Sequence, residues 1–219
     1  QSGTYTCSTM NAAGCNHTET LNLTVNPCTV NLNLSVYLQG FYLGAGFMPA
    51  LLYNQGLSNS VSDCDDVTVE LRQSVFPYTI AYSYTGTLKV DGQMTCTFPP
   101  GALGNTYYVV VKQRNHLEIW SANPITMATT TSYSFSTAAS QAYGSNQVEI
   151  IPGLYGMYAG DLNQDKSIDV FDYIMLEPEV IAGNTGYLLS DLNGDGTADI
   201  FDYLVVQDFI VAGVTGNYP

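Results

Sequence analysis

The sequence predicts a mainly β protein, in which an antiparallel β-sandwich is followed by a small module of loops and helices. Three observations support this prediction. Strand-favouring Thr, Tyr, Val, Ser and Asn are abundant, while helix-favouring Glu, Lys and Arg are scarce. Apolar and polar residues alternate over several short segments, and an aspartate-rich repeat lies towards the C-terminus. Hydrophobic residues make up 46% of the 219 residues, so the chain can bury a core.

The first predicted part, residues 1–26, is a β-hairpin. Tyr5 and Cys7 lie on one face of a strand, and an Asn-Ala-Ala-Gly turn follows. The second strand alternates, with apolar residues at Leu21, Leu23 and Val25. SGTYTC and NAAGC resemble the last two strands of an immunoglobulin-like domain, where a tyrosine stands two residues before a cysteine. An isolated hairpin is marginally stable, so we expect it to complete another sheet. The chain lacks an initiator Met and a signal peptide, so we expect Gln1 to begin a processed product.

The second part, residues 27–155, is the predicted sandwich. Its first strand alternates strictly, with apolar residues at Val30, Leu32, Leu34, Val36 and Leu38. Further strands are predicted at 67–71, 79–90, 93–98, 107–112, 117–120 and 133–135. Asp91-Gly92 predicts a hairpin between two of them. Such a series predicts an antiparallel sandwich of immunoglobulin-like or prealbumin-like type. The stretch YYVVVKQRNHLEIWSANP resembles a sandwich module of very large secreted proteins of Bacteroidetes, where it precedes calcium-loop repeats.

Composition excludes several partners and suggests a compartment. With 19 acidic and 5 basic residues the net charge is -14, which disfavours nucleic acid and anionic membrane surfaces. No apolar run is long enough to span a membrane. The five cysteines have no CxxC spacing, so we expect disulfides in an oxidising extracellular setting, with an odd thiol left free or bridging chains. They are Cys7, Cys15, Cys28, Cys64 and Cys96, and their spacing does not indicate which of them pair.

The third part, residues 156–219, contains an internal repeat. DLNQDKSIDVFDY from Asp161 recurs as DLNGDGTADIFDY from Asp191, and each copy runs into an apolar segment that can form a short helix. Calcium takes six to eight oxygen ligands, which a twelve-residue loop supplies from positions one, three, five, seven, nine and twelve. In the first loop these are Asp161, Asn163, Asp165, Ser167 (through its carbonyl), Asp169 and Asp172. In the second they are Asp191, Asn193, Asp195, Thr197 (through its carbonyl), Asp199 and Asp202. We therefore predict two calcium sites.

Other loop residues agree with this interpretation. Ile168 and Ala198 occupy the position where an apolar side chain tucks a calcium loop into a core, and Leu162 and Leu192 lie beside it. A merely solvated loop would leave four carboxylates repelling one another. Lys166 replaces the glycine expected at position six of the first loop, where a residue with Cβ costs about 1 kcal/mol, so we expect the first site to be weaker.

Two such loops with Asp at the last ligand position resemble a dockerin type I module. The resemblance implies one calcium ion for each loop-helix half and recognition of a cohesin domain on another protein. Positions ten and eleven often hold small hydroxyl residues in cohesin-binding dockerins, but here they are Val170-Phe171 and Ile200-Phe201. We expect these bulky residues to pack against the sandwich, because exposed Phe pairs are unusual. The alternative is a drier interface with a partner.

Catalysis is not predicted. His17 and His116 stand in no nucleophile motif, and Glu70, Glu118 and Glu149 are expected on solvated strand faces. We expect Trp120 to be a core or cross-strand residue rather than a platform for sugars. Sequons begin at Asn16, Asn22 and Asn33, a hint of surface glycans.

We expect a secreted, extracellular or cell-surface protein that is non-catalytic, calcium-stabilised, and structural or adhesive. One hypothesis is a fibre subunit, in which the hairpin adds its strands to a copy of the same chain head-to-tail. The alternative is the binding module of a large adhesin or polysaccharide-degrading system, with a carbohydrate or a cohesin-type domain as partner. Exposure of Phe171 and Phe201 would favour the second hypothesis, and their burial would count against it.

Overall fold

A computed structural model describes residues 3–23 and 29–219 as two packed β-sheets, three two-stranded sheets and a pair of C-terminal helices. The strands are β1 (Gly3–Met10), β2 (Asn16–Leu23), β3 (Val30–Ser35), β4 (Asp63–Gln73), β5 (Ile80–Lys89), β6 (Gln93–Phe98), β7 (Thr106–Gln113), β8 (His116–Trp120), β9 (Ile125–Thr126), β10 (Thr130–Ser134), β11 (Val148–Ile151), β12 (Leu154–Gly156), β13 (Ser167–Ile168) and β14 (Val214–Thr215). The α-helices are α1 (Leu51–Asn54), α2 (Val170–Ala182) and α3 (Ile200–Ala212), and short 3-10 turns occur at Pro100–Ala102, Ala139–Gln141 and Tyr143–Ser145.

The two larger sheets form the sandwich. One sheet has the order β5-β4-β7-β8 with β9 beside β7, and all its pairs are antiparallel. The other has the order β10-β3-β6, in which β3 and β6 are antiparallel and β10 runs parallel to β3. The predicted mainly β, largely antiparallel fold is confirmed, and the parallel pair is a feature that the strand pattern did not predict. None of the described helices is both long and apolar enough to cross a bilayer.

The core lies between the two sheets because alternate residues of each strand point inward. Fully buried side chains come from both sheets, among them Leu32, Leu34, Phe98, Leu71, Val109 and Ile119. Each such side chain stabilises the fold by roughly 1.5–3 kcal/mol relative to an exposed one. Strands β7 and β8 are buried on both faces, and the outer face carries a cluster of Tyr108, Val110 and Trp120. The expectation that Trp120 is a core or cross-strand residue is confirmed.

The turn at Asp91-Gly92 forms, but the predicted hairpin is wrong. The Gly92 N–H donates to the Lys89 carbonyl at 2.9 Å, and Gly92 has a φ of 76°, which glycine adopts readily. The strands on either side, β5 and β6, belong to different sheets. The turn therefore carries the chain across the sandwich, because turn residues specify a reversal and not the strand that each flank pairs with.

The predicted N-terminal hairpin is confirmed in the described residues. Strands β1 and β2 pair in antiparallel register, and within residues 3–23 and 29–219 neither pairs with a third strand. Tyr5 and Leu21 are 53% and 63% exposed. Val25, Cys28 and the Thr24 end of the sequon at Asn22 lie outside the described residues.

The expected disulfides are not formed among the four described cysteines. Cys7 and Cys15 are exposed free thiols on the hairpin, whereas Cys64 and Cys96 are free thiols in the sandwich core. The core pair behaves as small hydrophobic side chains, which is common for free cysteine.

Two glutamates that we expected on solvated faces are buried, so that expectation is wrong for them. Glu70 lies 2.7 Å from Nε of Arg72, and Glu118 lies 3.0 Å from Nζ of Lys166. Their charge is tolerated because each has a cationic partner. Glu149 is exposed, as expected.

Candidate calcium-binding site

Each aspartate loop ends in the first turn of a helix. Asp169 is the N-cap of α2, where its side chain accepts from the Phe171 N–H at 2.8 Å. The Asp172 carboxylate accepts in return from the Asp169 N–H at 2.9 Å, which completes a capping box. Positions nine and twelve of the loop therefore also begin the helix.

The second loop has the same construction. Asp199 caps α3 by accepting from the Phe201 N–H at 2.7 Å, and Asp202 accepts from the Asp199 N–H at 2.8 Å. Both helices end at a glycine in the left-handed conformation, Gly183 after α2 and Gly213 after α3. The loop-helix repeat predicted from the sequence is thus present twice.

The carboxylate at position twelve also closes each loop. Oδ1 of Asp172 accepts from the N–H groups of Leu162 and Asn163 at 2.8 and 3.2 Å. Oδ1 of Asp202 accepts from the equivalent groups of Leu192 and Asn193 at 2.7 and 3.1 Å. The last candidate ligand of each loop therefore lies beside the first.

The first carboxylate of each loop accepts hydrogen bonds from the loop backbone. Asp161 accepts from the N–H groups of Asp165 and Lys166 at 3.1 and 3.2 Å, and Asn163 bridges to Asp165 through its amide. In the second loop Asp191 accepts from Gly194, Asp195 and Gly196 at 2.7 to 3.2 Å. The loop backbone thus holds the carboxylates of Asp161 and Asp191 in place.

Four of these carboxylates are buried without a cationic partner within ion-pair distance in the described part of the chain; they are Asp161, Asp172, Asp191 and Asp202. Burial, and then the charge of Asp172, raises the pKa of Asp161 to about 7. Burial raises the pKa of Asp191 to about 6, with a further increase from Asp202 and an opposing effect of Arg114. Paired buried carboxylates of this kind fit a hard divalent cation, which would neutralise them.

Asp, Glu, His and Cys side chains do not suffice for this site by themselves. Among residues 3–23 and 29–219, no three of them are arranged as a metal site. A twelve-residue calcium loop does not need such a group, because amide and main-chain carbonyl oxygens supply further ligands. The ligands predicted at those positions are Asn163 and the carbonyl of Ser167 in the first loop, and Asn193 and the carbonyl of Thr197 in the second.

The two loops differ at positions four and six. The second loop has Gly194 and Gly196 there, with φ of 76° and 84°. The first loop holds Gln164 and Lys166 in the same left-handed region, at 58° and 76°. Each side chain in that region costs roughly 1 kcal/mol, so the expectation of a weaker first site extends to Gln164, which the sequence analysis did not single out.

The loops rest on a small core that includes a residue of the sandwich. Ile168, Leu162 and Leu192 are buried in it, together with residues of both helices, Leu176 and Val206. Ala198 is buried as well. Leu117 of β8 also belongs to this core, although it lies on a sheet strand.

The turn between β7 and β8 contacts the second loop directly. The Asn115 side-chain amide donates to the carbonyls of Leu189 and Asp191 at 2.8 and 2.7 Å, and the Asn115 carbonyl accepts from the Gly160 N–H at 2.8 Å. No sequence signal pointed to Asn115 or Leu117, because they lie more than forty residues before the loops.

The expectation that the Phe pairs pack against the sandwich is wrong. Phe171 and Phe201 are each 61% exposed, and Val170 and Ile200 are exposed as well. The capping boxes hold Asp172 and Asp202 inward, so the residues just before them point to solvent. Beside them a groove of about 290 Å³ is lined by Tyr173, Leu176, Glu177, Val180, Ile181, Ile200 and Tyr203.

Comparison with known proteins identifies one segment. Residues 159–211 match the family model for the dockerin type I domain. The match spans both aspartate loops and almost all of α3. A chain in the crystal structure of a type II Cohesin-X-Dockerin complex from Acetivibrio cellulolyticus, an N-terminal interface mutant, is similar at 17% identity and a TM-score of 0.44, with 83% of this chain and 93% of that chain covered. No curated protein matches the chain.

Proposed function

We propose that the chain is a calcium-dependent, non-catalytic protein-binding module, whose partner is held by the first turns of α2 and α3. The observation that carries this proposal is the exposure of Phe171 and Phe201 at equivalent positions of the two repeats. Exposed apolar clusters of this kind mark interaction sites. The dockerin type I match over residues 159–211 supports the same function.

Calcium is proposed to bind in both loops through the ligands predicted above. The ion would neutralise the buried carboxylates of Asp161 and Asp172 in one loop and of Asp191 and Asp202 in the other. Because Asp172 and Asp202 also cap the helices, an ion bound to them would hold the helix starts, and with them Phe171 and Phe201, in a defined position.

The chemistry of this surface suggests the partner. Residues 167–219 contain no Lys or Arg, while acidic side chains such as Glu177, Glu179 and Asp208 lie on the same helices. We propose a cohesin-type domain whose contact surface is apolar and whose rim is basic, since opposite charges favour encounter and orientation. Aromatic anchors would contribute most of the affinity.

The test is binding of the purified chain to a panel of immobilised cohesin domains, with calcium and with a chelator. We expect binding that requires calcium and that falls tenfold or more when Phe171→Ala and Phe201→Ala are combined. Phe47→Ala is the matched control, because Phe47 is 52% exposed and lies between β3 and α1, outside the two C-terminal helices. Binding that survives chelation, or that falls equally in the control, would contradict the proposal.

A second candidate function rests on the β1-β2 hairpin. Its outer edges are unpaired in the described residues, and Tyr5 and Leu21 are exposed, so it can add strands to a sheet of another copy. Repeated head-to-tail, such a contact forms a fibre. Negative-stain microscopy should then show filaments, and dispersed monomers with and without a chelator would exclude this role.

Either function suits an extracellular or cell-surface setting, within a large secreted adhesin or polysaccharide-degrading system. Asn16 and Asn22 are exposed on the hairpin and are candidates for glycans. Binding of glycans by the sandwich has less support, because Trp120 is buried and interacts with Arg72, whose guanidinium carbon lies 5.0 Å from the ring centre.

A further inference from the structure

Lys166, which stands where the first loop would hold a glycine, reaches out of the loop to the sandwich. Its Nζ lies 3.0 Å from Oε1 of Glu118 on β8 and 4.5 Å from the ring centre of Tyr218. The corresponding residue of the second loop is Gly196, which has no side chain to make such a contact. The ion pair between Lys166 and Glu118 therefore tethers the first loop to the sandwich. The second loop has no equivalent of this tether.

Glu118 is built into the sheet as an acceptor for this tether. Its side chain is 4% exposed and accepts from Nε1 of Trp120 at 3.0 Å, while Nζ of Lys112 lies 3.3 Å from its second oxygen. Burial alone would raise the pKa of Glu118, but the hydrogen bond from Trp120 and the ion pairs with Lys166 and Lys112 hold it below its usual range. Loss of one partner from such a buried charge is strongly unfavourable, so the Lys166 ammonium is held in place.

The same contacts connect the loop to the outer face of the sheet. Strand β14 pairs with β13 inside the first loop, and the chain then places the Tyr218 ring 6.4 Å from that of Trp120. Trp120 is the one tryptophan in the sequence, and its indole N–H shares the carboxylate oxygen that receives Lys166. These contacts therefore connect the first loop to the surroundings of Trp120.

We propose that Glu118 is a positioning residue for the first calcium loop, which it holds through Lys166. The tether offsets the backbone strain of a non-glycine residue at position six and directs the ammonium group away from the loop interior. This inference rests on the proposed calcium binding. It adds that the sandwich contributes to the affinity of the first site through the contact between Lys166 and Glu118, which has no counterpart at Gly196 of the second site.

Two possible roles of Lys166, through its charge or as a tether, predict opposite effects of Lys166→Met on the calcium affinity of the first site. If Lys166 acted only through its charge, its removal would raise calcium affinity, because a nearby cation repels the ion. If it acts as a tether, removal lowers affinity although a positive charge has been lost. Methionine keeps most of the alkyl chain, so the packing of that chain changes little.

The experiment is calcium titration of the full chain by calorimetry, with Trp120 fluorescence recorded in parallel. We expect Lys166→Met and Glu118→Gln each to weaken one of two sites by about tenfold, as is typical for residues that support metal ligands. The double variant should be no weaker than either single variant, because both remove the same contact. Lys166→Arg, which keeps the charge and reach, should retain most of the affinity.

The control is Glu70→Gln, which removes another buried carboxylate of the same sheet, one that is paired with Arg72 and not with Lys166. It should leave both calcium affinities unchanged. Melting temperatures in chelator show whether each variant is folded, and the unchanged second site confirms this within the same titration.

Wild-type binding with unchanged or higher affinity in Lys166→Met would overturn this inference and leave the proposed function intact. Additive losses in the double variant would overturn it as well. Absence of calcium binding by the wild-type chain would overturn the proposed function, and this inference with it.

Discussion

The side-chain amide of Asn115 lies 2.7 Å from the main-chain carbonyl oxygen of Asp191, so a sandwich residue is hydrogen bonded to the first residue of the second loop. The same amide donates to the carbonyl of Leu189, and Asn115 is fully buried. One side chain from the turn between β7 and β8 thus donates hydrogen bonds to two carbonyl groups at the start of the second loop.

Replacing Asn115 with leucine should therefore destabilise the protein. The substitution keeps the side-chain volume but leaves the buried carbonyl of Asp191 without its Asn115 donor, at a cost of about 1–3 kcal/mol, and removes the donor of the partly buried Leu189 carbonyl as well. Urea denaturation should show the loss in the free energy of unfolding. Asn105→Ala is the control: Asn105 also donates to a carbonyl, that of Gly101, but is exposed, so its loss should stay within about 0.5 kcal/mol. Equal losses would show that the buried bonds have no special role.

Phe171→Ala and Phe201→Ala should leave the free energy of unfolding almost unchanged, because both rings are mostly in solvent. Leu176→Ala, one turn further along the same helix, should cost about 2–5 kcal/mol, because Leu176 lies in the small core beneath the loops. Thermal or urea unfolding measures both. A large loss from Phe171→Ala would mean that the ring is covered by the protein itself.

The increase in melting temperature caused by calcium should grow as the pH rises from about 5 to 7.5. Burial raises the pKa of Asp161 to about 7 and that of Asp191 to about 6 in the metal-free protein. A carboxyl group with a raised pKa binds more protons in the folded state, so the metal-free protein loses stability as the pH rises through this range. Calcium bound in the loops would prevent that loss, because it would take the place of the protons.

The effect of calcium has to be taken as the difference between the melting temperature with calcium and that with chelator. The reason is that protonation of His116 changes stability in the opposite sense to protonation of Asp161 and Asp191. Burial lowers the pKa of His116 to about 3, so its contribution is lost as the pH falls below the value of free histidine. This loss occurs with and without calcium and cancels in the difference. Asp161→Asn combined with Asp191→Asn should flatten the difference, whereas a pH-independent increase in the wild-type chain would contradict the prediction.

Removal of residues 1–28 should change the free energy of unfolding of the remaining chain by no more than about 0.5 kcal/mol. Residues 4–22 of the hairpin are exposed, and in the described residues its strands pair only with each other. A chain that lacks residues 214–219 is the contrasting truncation, since it loses β14 and the contact between Tyr218 and Trp120, and it should be destabilised. If the first truncation lowers the melting temperature as much as the second, the hairpin supports the sandwich.

Thiol labelling should separate the cysteines into two classes. Cys7 and Cys15 should react quickly with an aromatic disulfide reagent, whereas Cys64 and Cys96 should react only after unfolding. Burial raises the pKa of Cys64 far above its usual range and that of Cys96 to about 12. Peptide mass spectrometry identifies which cysteine carries each label and distinguishes Cys28 from the other four. Rapid labelling of Cys96 in the folded protein would contradict the core assignment.

Features that depend on local spacing could be predicted from the sequence. The repeat from Asp161 and Asp191 predicted two loops with a helix after each, because the same aspartates that suit a cation also cap a helix. Strict alternation located the strands, and the limits of β6, Gln93–Phe98, agree with the prediction. Each of these patterns, the aspartate spacing and the apolar–polar alternation, is contained within about a dozen consecutive residues.

Features that depend on distant partners could not be predicted. Asp91-Gly92 specifies a turn, but the partner of β6 is β3, some sixty residues earlier. From the local sequence Glu118 is expected to be solvated, and only the fold brings its partner Lys166 beside it. The orientation of Phe171 was equally undetermined, because an apolar residue at a helix start can face the same chain or another protein.

Leu117 has a consequence for how this part of the protein can be exchanged between proteins. Residues 159–211 form a recognisable segment, yet the core beneath their loops includes a leucine from β8, and the turn before it supplies Asn115 to the second loop. A graft of that segment onto an unrelated carrier would carry its own aspartates but lose Leu117 from its core, together with Tyr158 and Val214, which pack against that core. The transferable unit is therefore residues 158–215 together with the β7-β8 hairpin or a substitute of the same shape.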